Sequence, residues 1–291
     1  MKKQLLLPLT AAAGGAAALV LRLLQNQTGF ESGTGLPIPG NVPALALAIL
    51  LAALAAVLLL LSRTIPQETE HGPFFPESFR TERAELLAFP IAGLLLMTAS
   101  GILDILLGIS PAGLSSAGGD GETAVLLYAA PAGMAFSPRA RLLAGGLTLL
   151  AAVCLFPAAA ACRHRPGVPP RTANPAFLLA PPVCMVMRLV LTYRVYSVNP
   201  ALQTYYVEIL SLVFLTLAFY RLSSFAYHAA RTRRFALYAG AAVTVCITAL
   251  ADGGEIPNLL LYGGGALTLL GFLLLWLTEA PPLTGAAVSE N

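Results

Sequence analysis

Eight separate stretches of about 20 apolar residues divide this chain, each long enough to cross a bilayer core as a helix. They run near residues 4–24, 43–62, 85–108, 141–162, 176–198, 203–227, 235–251 and 257–277. None alternates with period two, as a barrel strand would, and an open sheet cannot satisfy its backbone groups in lipid. The expected fold is therefore all-α: a polytopic transmembrane bundle. Composition agrees. Of the 291 residues 57% are hydrophobic and only 11% charged, against roughly 25% charged in an average soluble domain.

Lys and Arg placement predicts orientation. With the N-terminus inside, the cytoplasmic segments hold Lys2, Lys3, Arg63, Arg80, Arg83, Arg163, Arg165, Arg171, Arg231, Arg233 and Arg234. The outer segments hold only Arg22, Arg139 and Arg141. Both termini are expected in the cytoplasm, and the compact loops suggest the plasma (inner) membrane of a bacterium. The first span opens Met-Lys-Lys like a secretory signal, yet its apolar run reaches Leu24. That exceeds an h-region of about 7–15 residues, so an uncleaved anchor is expected. Residues 1–279 read as one helical domain and 280–291 as a short flexible tail. The 13-residue apolar run Ala124–Phe136, interrupted by Pro131, is too short to span and reads as interfacial or re-entrant.

Several chemistries are disfavoured. His71, His164 and His228 all fall in loops, whereas intramembrane Ser–His proteases, bis-His haem sites and HExxH peptidases need histidine within spans. The only lysines are Lys2 and Lys3, which leaves no Ser–Lys dyad or Schiff base. No phosphate-binding GxxxxGKS/T loop occurs. Cys154, Cys162, Cys184 and Cys246 lie singly in apolar runs and read as core thiols, with no CxxC pair. Gly118–Glu122 lacks the spaced oxygens of a calcium loop. No cofactor or metal is expected. A net charge of +3 is too small to suggest nucleic acid. Asn26-Gln27-Thr28 matches a glycosylation sequon, a match common by chance.

What remains is the short set of charges inside spans: Asp104, Arg188, Arg194, Glu208 and Arg221. Intramembrane charges mark functional sites by default. At 1.5 Å per residue, Asp104, Arg194 and Glu208 lie about 6–8 Å below the outer helix ends, in one stratum with Tyr193, Tyr196, Tyr205, Tyr206 and Tyr262. A short turn joins spans five and six, which predicts an Arg194–Glu208 ion pair; that pair either lines a site or simply locks the hairpin. Arg188 lies about 15 Å down, with no acid at its depth. Six residues earlier, Pro181-Pro182 is expected to break the helix. A broken helix leading to an unpaired arginine resembles an anion site in transporters. The ligand-binding set is therefore Arg188, Arg194, Glu208, Asp104, Tyr193 and Tyr205, for a small anionic or zwitterionic solute. Permease or substrate-binding membrane subunit is the leading class. The other class is an accessory or sensory subunit packing against a membrane partner protein. A third reading, Asp104 and Asp252 as a hydrolytic dyad, trails both.

Arg221 reads as an interfacial anchor, beside a basic patch of Arg231, Arg233 and Arg234 suited to anionic lipid. Ala11/Gly15 and Gly14/Ala18 give the first span a close-packing face. A weak echo links Gly145–Leu150 in span four to Gly264–Leu270 in span eight.

Overall fold

A computed structural model describes residues 5–31, 36–65, 75–109, 137–164, 174–197, 202–252 and 255–279. Among these residues are eight helices long and apolar enough to span a membrane. They are α1 (Leu6–Thr28), α2 (Val42–Arg63), α3 (Ala84–Ile109), α4 (Pro138–Ala161), α5 (Pro175–Tyr196), α6 (Leu202–Ser224), α7 (Thr232–Ala249) and α8 (Ile256–Glu279). The regular structure of the described residues is all helical, apart from isolated bridges at Phe30–Pro37 and Thr81–Arg163. The run Ala124–Phe136, the tail 280–291, His71, Lys2 and Lys3 lie outside the described residues.

Helix starts follow local chemistry. Asn41, Ser137 and Asn174 each accept a backbone N–H of the first turn, at 3.0, 3.3 and 3.0 Å. A proline follows each cap where its missing N–H costs nothing. The apolar runs underestimate two helices. α1 continues past Leu24 to Thr28, and α4 begins at Pro138, so Arg141 is helical and buried.

The expected break at Pro181-Pro182 does not occur: α5 runs unbroken through both, and both are buried. Pro90 in α3 and Pro157 in α4 are likewise internal. Spanning helices tolerate such residues because packed neighbours and small backbone adjustments re-satisfy the freed groups.

Helices α3 to α8 form a closed ring, each packing on the next and α8 returning to α3. α1 lies outside the ring against α7, and α2 covers α1 and α7. Only Leu47, Leu58 and Ser62 of α2 are buried, which leaves most of it for lipid. Apolar burial cannot drive helices together in lipid, so close packing must. Glycines provide it around α3. A Cβ on Gly101 would stand 2.9 Å from the Gly145 carbonyl oxygen of α4, and one on Gly264 of α8 would stand 2.7 Å from that of Gly93. The echoed segments thus do one job twice, bringing α4 and α8 onto opposite stretches of α3. The Ala11/Gly15 face serves the bundle too: Gly15 meets the Thr244 carbonyl, and the Thr244 hydroxyl donates to the Ala11 carbonyl at 3.1 Å.

The two ends of the bundle differ. Where α2, α4, α6 and α8 finish, the chain before α3 folds back underneath and buries Phe79 completely. Its ring lies 5.1, 6.0 and 5.9 Å from Phe225, Phe235 and Phe272, edge-on contacts worth about 0.5–1.5 kcal/mol each. Thr81 ties this segment to the end of α4, its N–H donating to the Cys162 carbonyl at 2.9 Å. We call this the basic end; the opposite end is the polar end.

The paired glycines of α4 provide a test. Gly145→Ala would push a methyl 2.8 Å from the Gly101 oxygen and the Asp104 Cβ, whereas Gly146 has nothing within 4 Å. Gly146→Ala should hold or raise stability by up to about 1 kcal/mol, and Gly145→Ala should lower it by about 1–3 kcal/mol. Thermal unfolding of both variants in detergent checks this; equal effects would refute the backbone contact.

Candidate functional site

The polar end gathers nearly every buried charge among the described residues. Arg188 on α5 is 1% exposed. Its Nη1 donates to Asp104 Oδ2 of α3 at 2.9 Å and to the Thr148 hydroxyl of α4 at 2.7 Å, while Nη2 donates to Asn258 Oδ1 of α8 at 2.9 Å. The Ala144 carbonyl is a further acceptor at 3.3 Å. One guanidinium therefore binds α3, α4 and α8 to α5.

Arg188 is thus not the unpaired midplane cation expected from its depth. Asp104 stands five residues from the end of α3 and Arg188 eight from the end of α5. That difference is about 4.5 Å of rise, within reach of an extended arginine.

Two more ion pairs flank this hub. Arg141 of α4 donates to Glu255, just before α8. Arg22 of α1 meets Asp252 at 2.5 Å, donates to Gln25 Oε1 at 3.0 Å and lies over the Tyr206 ring. Asn26 adds a donor to the Ala251 carbonyl at 2.9 Å. Asp104 and Asp252 are therefore held by different arginines rather than paired with each other, which removes the geometry of a hydrolytic dyad.

Glu208 of α6 is different. It is 5% exposed, and the Tyr196 hydroxyl of α5 lies beside its carboxylate. Tyr196 in turn stacks flat on Tyr205, with centroids 5.2 Å apart. The charges facing Glu208 are Asp252, Arg22 and Arg188, with Tyr262 of α8 beside them. Both arginines already hold aspartates of their own. Glu208 Oε2 and Asp252 Oδ2 are buried without hydrogen-bond partners among the described residues. Among the described residues, three buried arginines (Arg22, Arg141, Arg188) face four buried carboxylates (Asp104, Glu208, Asp252, Glu255). One negative charge is left over, and Glu208 carries it. An uncompensated buried carboxylate costs several kcal/mol, so it must take up a proton or a cationic partner.

The Arg194–Glu208 ion pair does not form. Arg194 is exposed, and Tyr193 beside it is 59% exposed, so both lie away from the cluster. Of the expected set, Arg188 meets Asp104, and Tyr205 reaches Glu208 through Tyr196. Sequence reasoning missed Arg22, Arg141, Glu255, Asn258 and Thr148 as members. The available signal was polar spacing at helix ends: Arg22, Gln25 and Asn26 share a face at i, i+3 and i+4.

No group of three or more His, Cys, Asp and Glu side chains among the described residues is arranged to hold a metal. The four cysteines are unbridged.

Arg188→Met should destabilise the bundle by about 3–5 kcal/mol, because it strands Asp104 in a buried site; adding Asp104→Leu should restore much of that loss. Unfolding of the single and double variants measures it, and additive losses would show that the pair is not coupled. An Arg194→Gln/Glu208→Gln cycle should be additive within about 0.5 kcal/mol. Compared with protein-family models, curated proteins and solved structures, the chain matches none of them, so what this site does has to be read from its own residues.

Proposed function

We propose that this multi-pass membrane protein is a small-solute permease or membrane-embedded substrate-binding subunit whose site centres on Glu208. The observation that carries the reading is the leftover negative charge in a buried, tyrosine-lined cluster between α5, α6, α7 and α8. With Arg188 already paired with Asp104, Thr148 and Asn258, an anion has little to bind. The solute class narrows to a zwitterion or cation whose ammonium group meets Glu208 and the rings of Tyr196 and Tyr262. Arg188 and Asp104 then act as positioning residues that hold the wall of the site.

The basic end is read as cytoplasmic, which places both termini inside. Exposed Arg63, Arg83, Arg163, Arg231 and Arg234 crowd that end. The polar end exposes Arg139 and Arg194 among the described residues, since Arg22 and Arg141 are buried in ion pairs. A bacterial plasma membrane fits this bias.

The accessory reading draws on α2, whose outward face carries Val42, Leu45, Ile49 and Leu60. That face would meet a partner protein instead of lipid.

Thermal-shift measurements on the purified protein against amino acids, polyamines and other amines, with organic acids and sugars as controls, separate the readings. A ligand at 100 times its Kd should stabilise the fold by about 2.7 kcal/mol. Glu208→Gln should abolish that shift while folding normally. A well-folded protein that no amine stabilises, or a shift that survives Glu208→Gln, would sink the assignment and favour the accessory class.

A further inference from the structure

At the basic end a cleft of about 500 Å³ opens between α2 and the start of α7. Four arginines line it: Arg63 from α2, Arg231 at the N-cap of α7, and Arg233 and Arg234 from its first turn. Among the described residues no acidic side chain lines it, and none of the four is in an ion pair. Arg231 at the N-cap of α7 makes no side-chain cap, so the positive end of the helix dipole adds to the same field. Arg233 is held in place, its Nε donating to the Ile65 carbonyl at 2.6 Å. A fifth arginine, Arg221 of α6, lies over the ring of Tyr238, which also lines the cleft.

The other wall is apolar. Leu59 and Leu237 line the cleft one turn into their helices, on the side that leads to the hydrocarbon. A water-soluble anion has no use for that wall. A phospholipid uses both parts, its phosphate among the guanidiniums and its acyl chains along the leucines.

We propose that this cleft is a binding site for the phosphate headgroup of an anionic phospholipid. The site is independent of the solute reading, since it lies at the opposite end of the bundle from Glu208. Each arginine facing an anionic headgroup strengthens binding roughly fivefold, so removing two should weaken it roughly 25-fold. Exposed Arg63 and Arg234 can be removed without disturbing packing.

The test titrates short-chain phosphatidylglycerol or phosphatidylcholine into the full-length protein in neutral detergent, read by thermal shift and native mass spectrometry. Phosphatidylglycerol should bind and stabilise, and phosphatidylcholine should not. Arg63→Gln/Arg234→Gln should lose most of the binding. Arg83→Gln/Arg163→Gln, at the same end but outside the cleft, should keep it. Equal loss in both double variants would overturn the cleft in favour of diffuse attraction. An equal shift from inorganic phosphate alone would make it a free-anion site, and equal binding of phosphatidylcholine would remove the role of charge.

Discussion

The Arg188 guanidinium is the contact on which the ring depends. It reaches from α5 to a carboxylate on α3, a hydroxyl on α4 and an amide on α8, spanning the place where the first and last helices of the ring meet. In hydrocarbon, most apolar surfaces are interchangeable, and packing alone selects neighbours weakly. A buried charge is selective, because any arrangement that leaves it unpaired is penalised heavily. Arg22–Asp252 and Arg141–Glu255 act alike, joining α1 to the end of α7 and α4 to the start of α8. All three pairs link helices that are not consecutive in the chain. They specify which helix meets which.

The spans were legible because bilayer thickness imposes a length on any apolar run, whatever its sequence. The site was legible only in part, because a sequence gives depth along a helix far better than rotation about it. Arg194 and Glu208 share a depth, yet six residues after Arg188 a helix has turned to a face about 120° away. Tyr196, eight residues on, returns to within about 80° of it, and Tyr196 is the group that meets Glu208. Pro181-Pro182 misled for another reason: the penalty that breaks a helix in water is softened among packed neighbours in lipid. Arg22 and Arg141 fall at the edges of the spans near 4–24 and 141–162 and were counted with the outer segments, although both helices continue past them.

The two ends of the bundle are held by different physics. At the basic end Phe79 sits among four phenylalanines, and Arg63, Arg83, Arg163, Arg231 and Arg234 are exposed. At the polar end the charges turn inward and almost cancel. The one imbalance among the described residues, at Glu208, sits among tyrosines from α5, α6 and α8 rather than in the paired network around Arg188. The paired charges and the unbalanced one are thus separated across the width of one ring.

The glycine contacts on either side of α3 bear on how such a ring can move. Helices slide past one another on a layer of side chains that can change rotamer. Between Gly101 and Gly145, and between Gly93 and Gly264, that layer is missing and backbone lies on backbone. Shear is blocked there, so α3, α4 and α8 must travel as one slab. Arg188 ties α5 to that slab, so any breathing of the ring is left to the α6–α7 arc, which Tyr196 and Tyr205 separate from α5. That arc carries Glu208.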